Sequence, residues 1–219
     1  MKSPRVLLLS LLLVLFAARA VSADATKAST IIVPKVVFRG ASAREGVAFL
    51  MKKSVDLDPQ KSGVNIVLVP WEGMEQTKID LDLANVPLEA AVRYLAQVAN
   101  LEVTKDGEAL LLAPKNRIQP ASLFSTEGMK AAQIKLPKIE LREASLEEAL
   151  NFIRYKAAAL DPEKSGVNIV LIPSDKIKPI KVTITLLNVP VADAVKYIAL
   201  VANLEIRRDG ETFIVKAAD

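Results

Sequence analysis

The chain has 219 residues, of which 51% are hydrophobic, 25% charged and 5% aromatic, and its formal net charge is +4. This apolar fraction is sufficient for packed cores and excludes a disordered or collagen-like chain. The sequence has no cysteine and no histidine, which excludes disulfides, thiol nucleophiles, thiolate metal sites, and the commonest general base and zinc ligand.

The first 23 residues predict a secretory signal peptide. Lys2 and Arg5 precede an apolar run over residues 6–18, and Val21, Ser22 and Ala23 then provide the small residues of a cleavage site. We expect cleavage after Ala23, with Ala20 as the second choice, and export to the periplasm. The apolar run is shorter than the roughly 20 residues of a membrane-spanning helix, so no stable membrane anchor is expected.

The mature chain is nearly neutral. Removal of the first 23 residues leaves 26 basic and 25 acidic residues. The basic character of the whole chain therefore does not indicate a nucleic-acid partner. Residues 24–30 are small and polar, and we expect them to be loosely held.

The remainder of the chain contains an internal repeat. Residues 31–116 align without a gap to residues 134–219 at a constant offset of 103, with 38 of 86 positions identical. A period of this length indicates a duplicated small domain rather than a solenoid. Between the copies, residues 117–133 predict a linker that ends in one helical turn.

Both copies predict the same first elements. A strand at 35–38 leads into a helix whose first residues, Ser42 and Glu45, have the spacing of a capping box. The helix should end before Asp58-Pro59, because proline disfavours helix at the preceding residue. The second copy repeats this pattern 103 positions later.

The second half of each copy predicts three further strands and a helix. A buried strand at 65–69 is followed by an alternating strand at 78–83, which has one packed and one solvated face. Pro87 then suits the first turn of a helix, and Asp106-Gly107 suits a tight hairpin. The order is β-α-β-β-α-β-β, which predicts an α+β fold with two helices packed on one small mixed sheet, in two layers.

A family resemblance rests on the second half of each copy. Asn188-Val189-Pro190 follows an alternating strand and opens an amphipathic helix, and a hairpin at Asp209-Gly210 closes the copy. This pattern resembles the short amino-terminal (STN-like) domain shared by secretins and TonB-dependent transporters. The loop at residues 58–63 is longer than is usual in that family.

The resemblance implies periplasmic domains that contact other proteins and contain no catalytic residues. The partners it implies are secretins or other components of secretion and pilus assembly. The sequence ends nine residues after Gly210, so we expect no barrel-forming segment and a protein made only of interaction modules.

Three large apolar residues are the predicted binding residues. Trp71 and Met74 lie in a loop, and Phe124 lies in the linker. Exposed aromatic and methionine side chains often anchor protein partners, although Trp71 would equally suit a position folded over its own core. No catalytic residue, metal site or cofactor is predicted.

Other candidate sites have simpler explanations. Asp80 and Asp82 have the spacing of paired carboxylates, but threonines occupy the equivalent positions of the second copy, which favours a solvated sheet face. The glycine of Lys61-Ser62-Gly63 lacks the spacing of a phosphate-binding loop. Asn65 lies in an apolar strand, and we expect it to form a structural hydrogen bond to a neighbouring loop.

The sequence therefore predicts an exported, non-enzymatic protein-interaction protein of the bacterial cell envelope, with an accessory role in a secretin-type secretion or pilus system. We expect it to dock through sheet edges or helix faces. Three alternatives remain: a periplasmic small-molecule or glycan-binding protein with its site between the copies, a hydrolase using Asp80 with Asp82 or Glu72, and self-association of the chain.

Overall fold

The computed structural model describes residues 26–115, 117 and 125–218. The predicted signal peptide and residues 118–124 of the predicted linker, including Phe124, lie outside the described residues. We refer to residues 26–115 as the N-terminal half and to residues 125–218 as the C-terminal half.

The two halves have the same order of helices and strands, and the fold is α+β as predicted. The N-terminal half contains α1 (Lys27–Thr30), β1 (Ile32–Ser42), α2 (Ala43–Leu57), β2 (Ile66–Leu68), a 3-10 turn (Met74–Gln76), β3 (Lys78–Pro87), α3 (Leu88–Val98), β4 (Glu102–Asp106) and β5 (Ala109–Ala113). The C-terminal half contains α4 (Lys130–Gln133), β6 (Lys135–Ser145), α5 (Leu146–Leu160), β7 (Asn168–Leu171), β8 (Lys181–Pro190), α6 (Val191–Val201), β9 (Leu204–Asp209) and β10 (Thr212–Ala217).

The strands of each half form two sheets, and the prediction of one mixed sheet in two layers is wrong. In the N-terminal half β1 pairs with β3, while β5 pairs in parallel with β2 and antiparallel with β4. The C-terminal half repeats this arrangement with β6–β8 and β7–β10–β9. Helices α2 and α3 each contact strands of both sheets, so the two helices pack against both sheets and not against one.

The predicted ends of α2 and α5 are confirmed, whereas Pro87 precedes α3 as its N-cap and does not lie in the first helical turn. Ser42 accepts a hydrogen bond from the backbone N–H of Glu45, and the Glu45 carboxylate accepts one from the N–H of Ser42. Ser145 and Glu148 form the same capping box at the start of α5. Both helices end before an Asp-Pro pair, which confirms the local signals in the sequence.

The closing hairpin differs from its prediction by one residue. Asp106 is the last residue of β4 and pairs with Ala109, so the two turn residues are Gly107 and Glu108. Gly107 has φ +57°, a backbone angle that glycine adopts without steric cost. Because Asp106 belongs to the strand, its side chain lies on a face of the sheet and not in the turn.

A lysine near the start of each half forms an ion pair with a buried aspartate. The prediction that residues 24–30 are loosely held is wrong for Lys27–Thr30, which form α1. Lys27 forms an ion pair with the buried Asp58, with an N–O distance of 2.8 Å. In the C-terminal half α4 confirms the predicted helical turn, and its Lys130 forms the equivalent ion pair with Asp161 at 2.8 Å.

Asp58 also organises the loop after α2. Its Oδ2 atom accepts hydrogen bonds from the backbone N–H groups of Ser62 and Gly63 at 2.9 and 3.0 Å. Asp161 accepts the equivalent bonds in the C-terminal half. The amides that a phosphate-binding loop would present to a ligand therefore bind an internal carboxylate.

The ammonium of Lys27 is the main factor that lowers the pKa of Asp58, and the loop amides lower it further. Lys130 has the same effect on the pKa of Asp161. A carboxyl whose pKa is lower in the folded state stabilises the fold above its unfolded pKa of about 3.9, and this stabilisation disappears as the pH falls.

We predict that the free energy of unfolding falls steeply between about pH 5 and pH 2 in the wild type. Asp58→Asn and Asp161→Asn should each be less stable at neutral pH and show a shallower decline, with roughly one proton fewer taken up on unfolding per substitution. Urea denaturation at a series of pH values measures this. Equal pH slopes for wild type and both variants would contradict the proposed electrostatic role.

Candidate protein-docking surfaces

The predicted binding residues Trp71 and Met74 are partly or fully buried. Met74 is 7% exposed, and Trp71 is half-buried against the core of the N-terminal half. The residue equivalent to Met74 in the other half, Ile177, is equally buried. This position is thus buried in both halves. The alignment of the copies already placed an apolar residue at both positions. The binding role of these residues stays a prediction.

Asp80 supports an irregularity in the neighbouring strand. Its carboxylate accepts a hydrogen bond at 3.0 Å from the N–H of Gly40, where the pairing of β1 with β3 shifts register. In the C-terminal half the Thr183 hydroxyl accepts the equivalent bond, also at 3.0 Å, from the N–H of Glu143. Aspartate and threonine therefore serve the same structural purpose at this position, and Asp82 forms an exposed ion pair with Arg39.

The two halves meet through one face of the N-terminal three-stranded sheet. Val67, Ala109 and Leu111 point away from their own helices and belong to the core of the C-terminal half, with at most 5% exposure. In return, Leu187 of β8 packs against the core of the N-terminal half. Because both faces of this sheet are covered, all five residues of β5 are buried.

Asn65 connects the two halves by paired hydrogen bonds. Its side-chain Oδ1 accepts a bond of 2.7 Å from the N–H of Leu187, and its Nδ2 donates a bond of 2.9 Å to the Leu187 carbonyl oxygen. The prediction of a structural bond is confirmed, but the partner is strand β8 of the other half and not a neighbouring loop. The backbone N–H and carbonyl groups of Leu187 thereby both have a hydrogen-bond partner.

An ion pair and a tyrosine complete the junction. The Nζ atom of Lys196 on α6 lies 2.6 Å from Oδ2 of Asp106 and 3.0 Å from Oδ1 of Asp193. Tyr197 is 2% exposed and its hydroxyl donates to the Asp106 carbonyl oxygen at 3.4 Å. Burial, reinforced by the Asp106 charge, raises the pKa of Tyr197, so this hydroxyl remains a hydrogen-bond donor.

Each surface that is buried at the junction has an equivalent on the other half, and that equivalent is exposed to solvent. Val67 is fully buried, but its equivalent Val170 is 49% exposed. Tyr197 is 2% exposed, whereas its equivalent Tyr94 is 39% exposed, and Val98 is 45% exposed where Val201 is 7% exposed. We name these two surfaces by their residues: the open sheet face (Asn168, Val170, Arg207, Asp209, Thr212, Ile214) and the open helix face (Ala84, Arg93, Tyr94, Gln97, Val98).

These two faces were missed by the sequence analysis. The alignment placed Tyr94 opposite Tyr197 and Val67 opposite Val170, but identical residues gave no sign that one of each pair is buried. A weak signal was present in the strands. The apolar run of β5 is typical of a strand covered on both faces, whereas β10 alternates with Thr212 and Lys216 on its outer face.

A groove lies beside the junction, with a volume of about 810 Å³. Charged side chains from both halves line it, including Lys27, Glu108, Lys135 and Asp193. The described residues contain no cluster of acidic side chains suited to a metal ion. Among the described helices none is long and apolar enough to cross a membrane.

No protein-family model matches the chain, and a search of curated proteins finds no matching sequence.

We predict that Asn65→Ala lowers the free energy of unfolding far more than the matched change Asn168→Ala does. The first variant leaves both backbone groups of Leu187 unsatisfied and should lower the free energy of unfolding by about 1–3 kcal/mol. The second removes an exposed side chain and should change it by less than about 0.5 kcal/mol. Urea denaturation of dilute protein measures both values. Similar losses in the two variants would contradict the junction described above.

Proposed function

We propose that the chain is an exported, non-enzymatic protein-interaction protein of the bacterial cell envelope, built from two tandem copies of one α+β module. We further propose that it is periplasmic and acts as an accessory to a secretin-type secretion or pilus system. Its partners would be secretins or other components of secretion and pilus assembly.

The tandem duplication is supported by agreement at three levels. The halves share 38 of 86 aligned residues and the same strand pairing. They also share an ion pair between a lysine and a buried aspartate, Lys27–Asp58 and Lys130–Asp161. This ion pair extends the correspondence to residues before position 31, where the sequence alignment of the copies began.

The family resemblance is supported by the position of its motif. Asn188-Val189-Pro190 ends β8 and leads directly into α6, and the β9–β10 hairpin follows. Asn85-Val86-Pro87 has the same place between β3 and α3. These are the elements on which the resemblance to the amino-terminal domain of secretins was based.

The unequal burial of equivalent surfaces is the observation that carries the interaction function. At the junction each surface buries apolar side chains and satisfies its polar groups against protein. The open sheet face and the open helix face present equivalent residues with no cover from the described residues of the chain. Tyr94 and Val98, four residues apart on α3, and Val170 on β7 are apolar side chains at 39–49% exposure. Exposed apolar surface of this kind is typical of protein-docking sites.

A photo-crosslinking experiment tests this function in the cells that produce the protein. A photoreactive residue placed at position 170 or 98 should capture another polypeptide, which mass spectrometry identifies. Position 160 is the matched control, because Leu160 and its equivalent Leu57 are exposed in both halves and so lie outside the junction. Equal capture from position 160, or none from 170 and 98, would contradict the proposed docking faces.

A second candidate function is the binding of a small molecule or glycan between the two copies, and the groove beside the junction favours it. In that case a ligand would raise the melting temperature of the purified protein, because it binds only the folded state. The rise should be lost in Lys135→Ala, which alters the groove but neither docking face. A panel of glycans and anionic metabolites that produces no shift would exclude this candidate for the compounds tested.

A further inference from the structure

The chain exposes both surfaces of a contact that it already uses internally. The open sheet face of the C-terminal half is equivalent to the sheet surface buried at the junction. The open helix face of the N-terminal half is equivalent to the helix surface buried there. One molecule thus presents a surface and its complement at different places.

We propose that the open sheet face of one chain binds the open helix face of a second chain, so that copies associate head to tail through a repetition of the internal junction. The inference rests on the interaction function proposed above and names a second copy of this chain as a partner. Three features of the two faces support it.

The asparagine bond is reproducible between chains. Asn168 is the equivalent of Asn65 and is exposed. Its partner would be the backbone of Ala84, the equivalent of Leu187. Ala84 pairs with Lys35 in the same register as Leu187 pairs with Lys138. Because Asn65 bonds only to backbone atoms, the change from leucine to alanine leaves both bonds available.

The ion pair is also reproducible. Asp209 is the equivalent of Asp106, and Arg93 is the equivalent of Lys196, so the charges keep their signs. Both Asp209 and Arg93 are exposed, and among the described residues neither has an ion-pair partner within 4.0 Å. Arginine offers several donors to a carboxylate, so the change from lysine retains the pairing.

The apolar contacts are partly retained. Val170 and Ile214 replace Val67 and Leu111 on the sheet side, and Tyr94 and Val98 match Tyr197 and Val201 on the helix side. Val170, Tyr94 and Val98 are the same residue types as their equivalents at the junction. The two open faces therefore keep part of the apolar surface of the junction.

Differences on both faces weaken the contact between chains. Ala84 and Gln97 stand where the junction has Leu187 and Leu200, which removes apolar area. Thr212 and Arg207 stand where the sheet has Ala109 and Thr104, which adds polar groups. Association between separate chains also costs translational and rotational entropy. We therefore expect reversible association that depends on protein concentration.

A contact of this kind is heterologous. Each added chain uses one face and leaves the other available, so association continues to a closed ring or an open filament. A symmetric dimer would bury the same patch on both partners. This difference gives the proposal a specific experimental signature.

Two variants that block one face each provide the test. Val170→Asp blocks the open sheet face, and Val98→Asp blocks the open helix face. In size-exclusion chromatography with light scattering, the mature wild type should increase in mass with concentration, and each variant alone should remain monomeric. An equimolar mixture of the variants should form a 1:1 dimer, because it contains one intact pair of faces. Leu160→Asp is the matched control and should associate as the wild type does.

Several outcomes would overturn the inference. A wild type that stays monomeric at every concentration contradicts it, as does a variant mixture that stays monomeric while the wild type associates. Dimers formed by either variant alone would indicate a symmetric contact instead. Circular dichroism and thermal melting of each variant establish that the fold is retained, which is expected because both substituted valines are exposed.

A gain of affinity provides a second test. Ala84→Leu restores the junction residue on the open helix face, and its added apolar area should lower the dissociation constant at least about tenfold. The same substitution combined with Val170→Asp should remain monomeric, which excludes nonspecific association. An unchanged dissociation constant for Ala84→Leu would contradict the proposed placement of the two chains.

The failure of this inference is distinguishable from the failure of the proposed function. If the purified chain is monomeric but position 170 or 98 captures a different polypeptide in the cell, only self-association is refuted. If neither self-association nor capture is observed, both proposals are refuted.

Discussion

The contact between the β2–β5–β4 sheet and the C-terminal half determines much of this structure. Its apolar part is the outer face of the sheet, around Val67 and Leu111. Its polar part consists of the Asn65 bonds to Leu187 and the Asp106–Lys196 ion pair. A buried polar or charged group is costly without its partner, so these polar contacts favour a single register of one half against the other.

This contact gives different surroundings to equivalent residues. Val67 and Val170 are identical and lie in equivalent strands, but one is buried in the junction and the other faces solvent. The interaction function proposed for this chain depends on that difference. The candidate chemical groups were poor guides to function, because Asp80 and the amides of Ser62 and Gly63 each have a structural partner. The surfaces that remain available are composed of ordinary side chains.

The success of the sequence predictions follows the range of the interactions involved. The capping boxes and the ends of α2 and α5 were predicted correctly, because a few neighbouring residues determine them. The hairpin turn was placed one residue early, because an Asp-Gly pair suits more than one turn position. The single sheet was wrong, because alternation shows that a strand has a buried face but not which strand it pairs with. Burial of Met74 and the ion pair of Lys27 with Asp58 depend on segments distant in the chain.

By itself the sequence determined the repeat, the element order and the α+β class, since hydrophobic period, proline and capping signals act over short distances. Only the tertiary structure decided how the strands divide between sheets, which face of each half is covered, and which is open. Equivalent residues in the two copies carry the same local information. Their burial depends on which half follows the other in the chain and packs against it, and that relation is absent from any single copy.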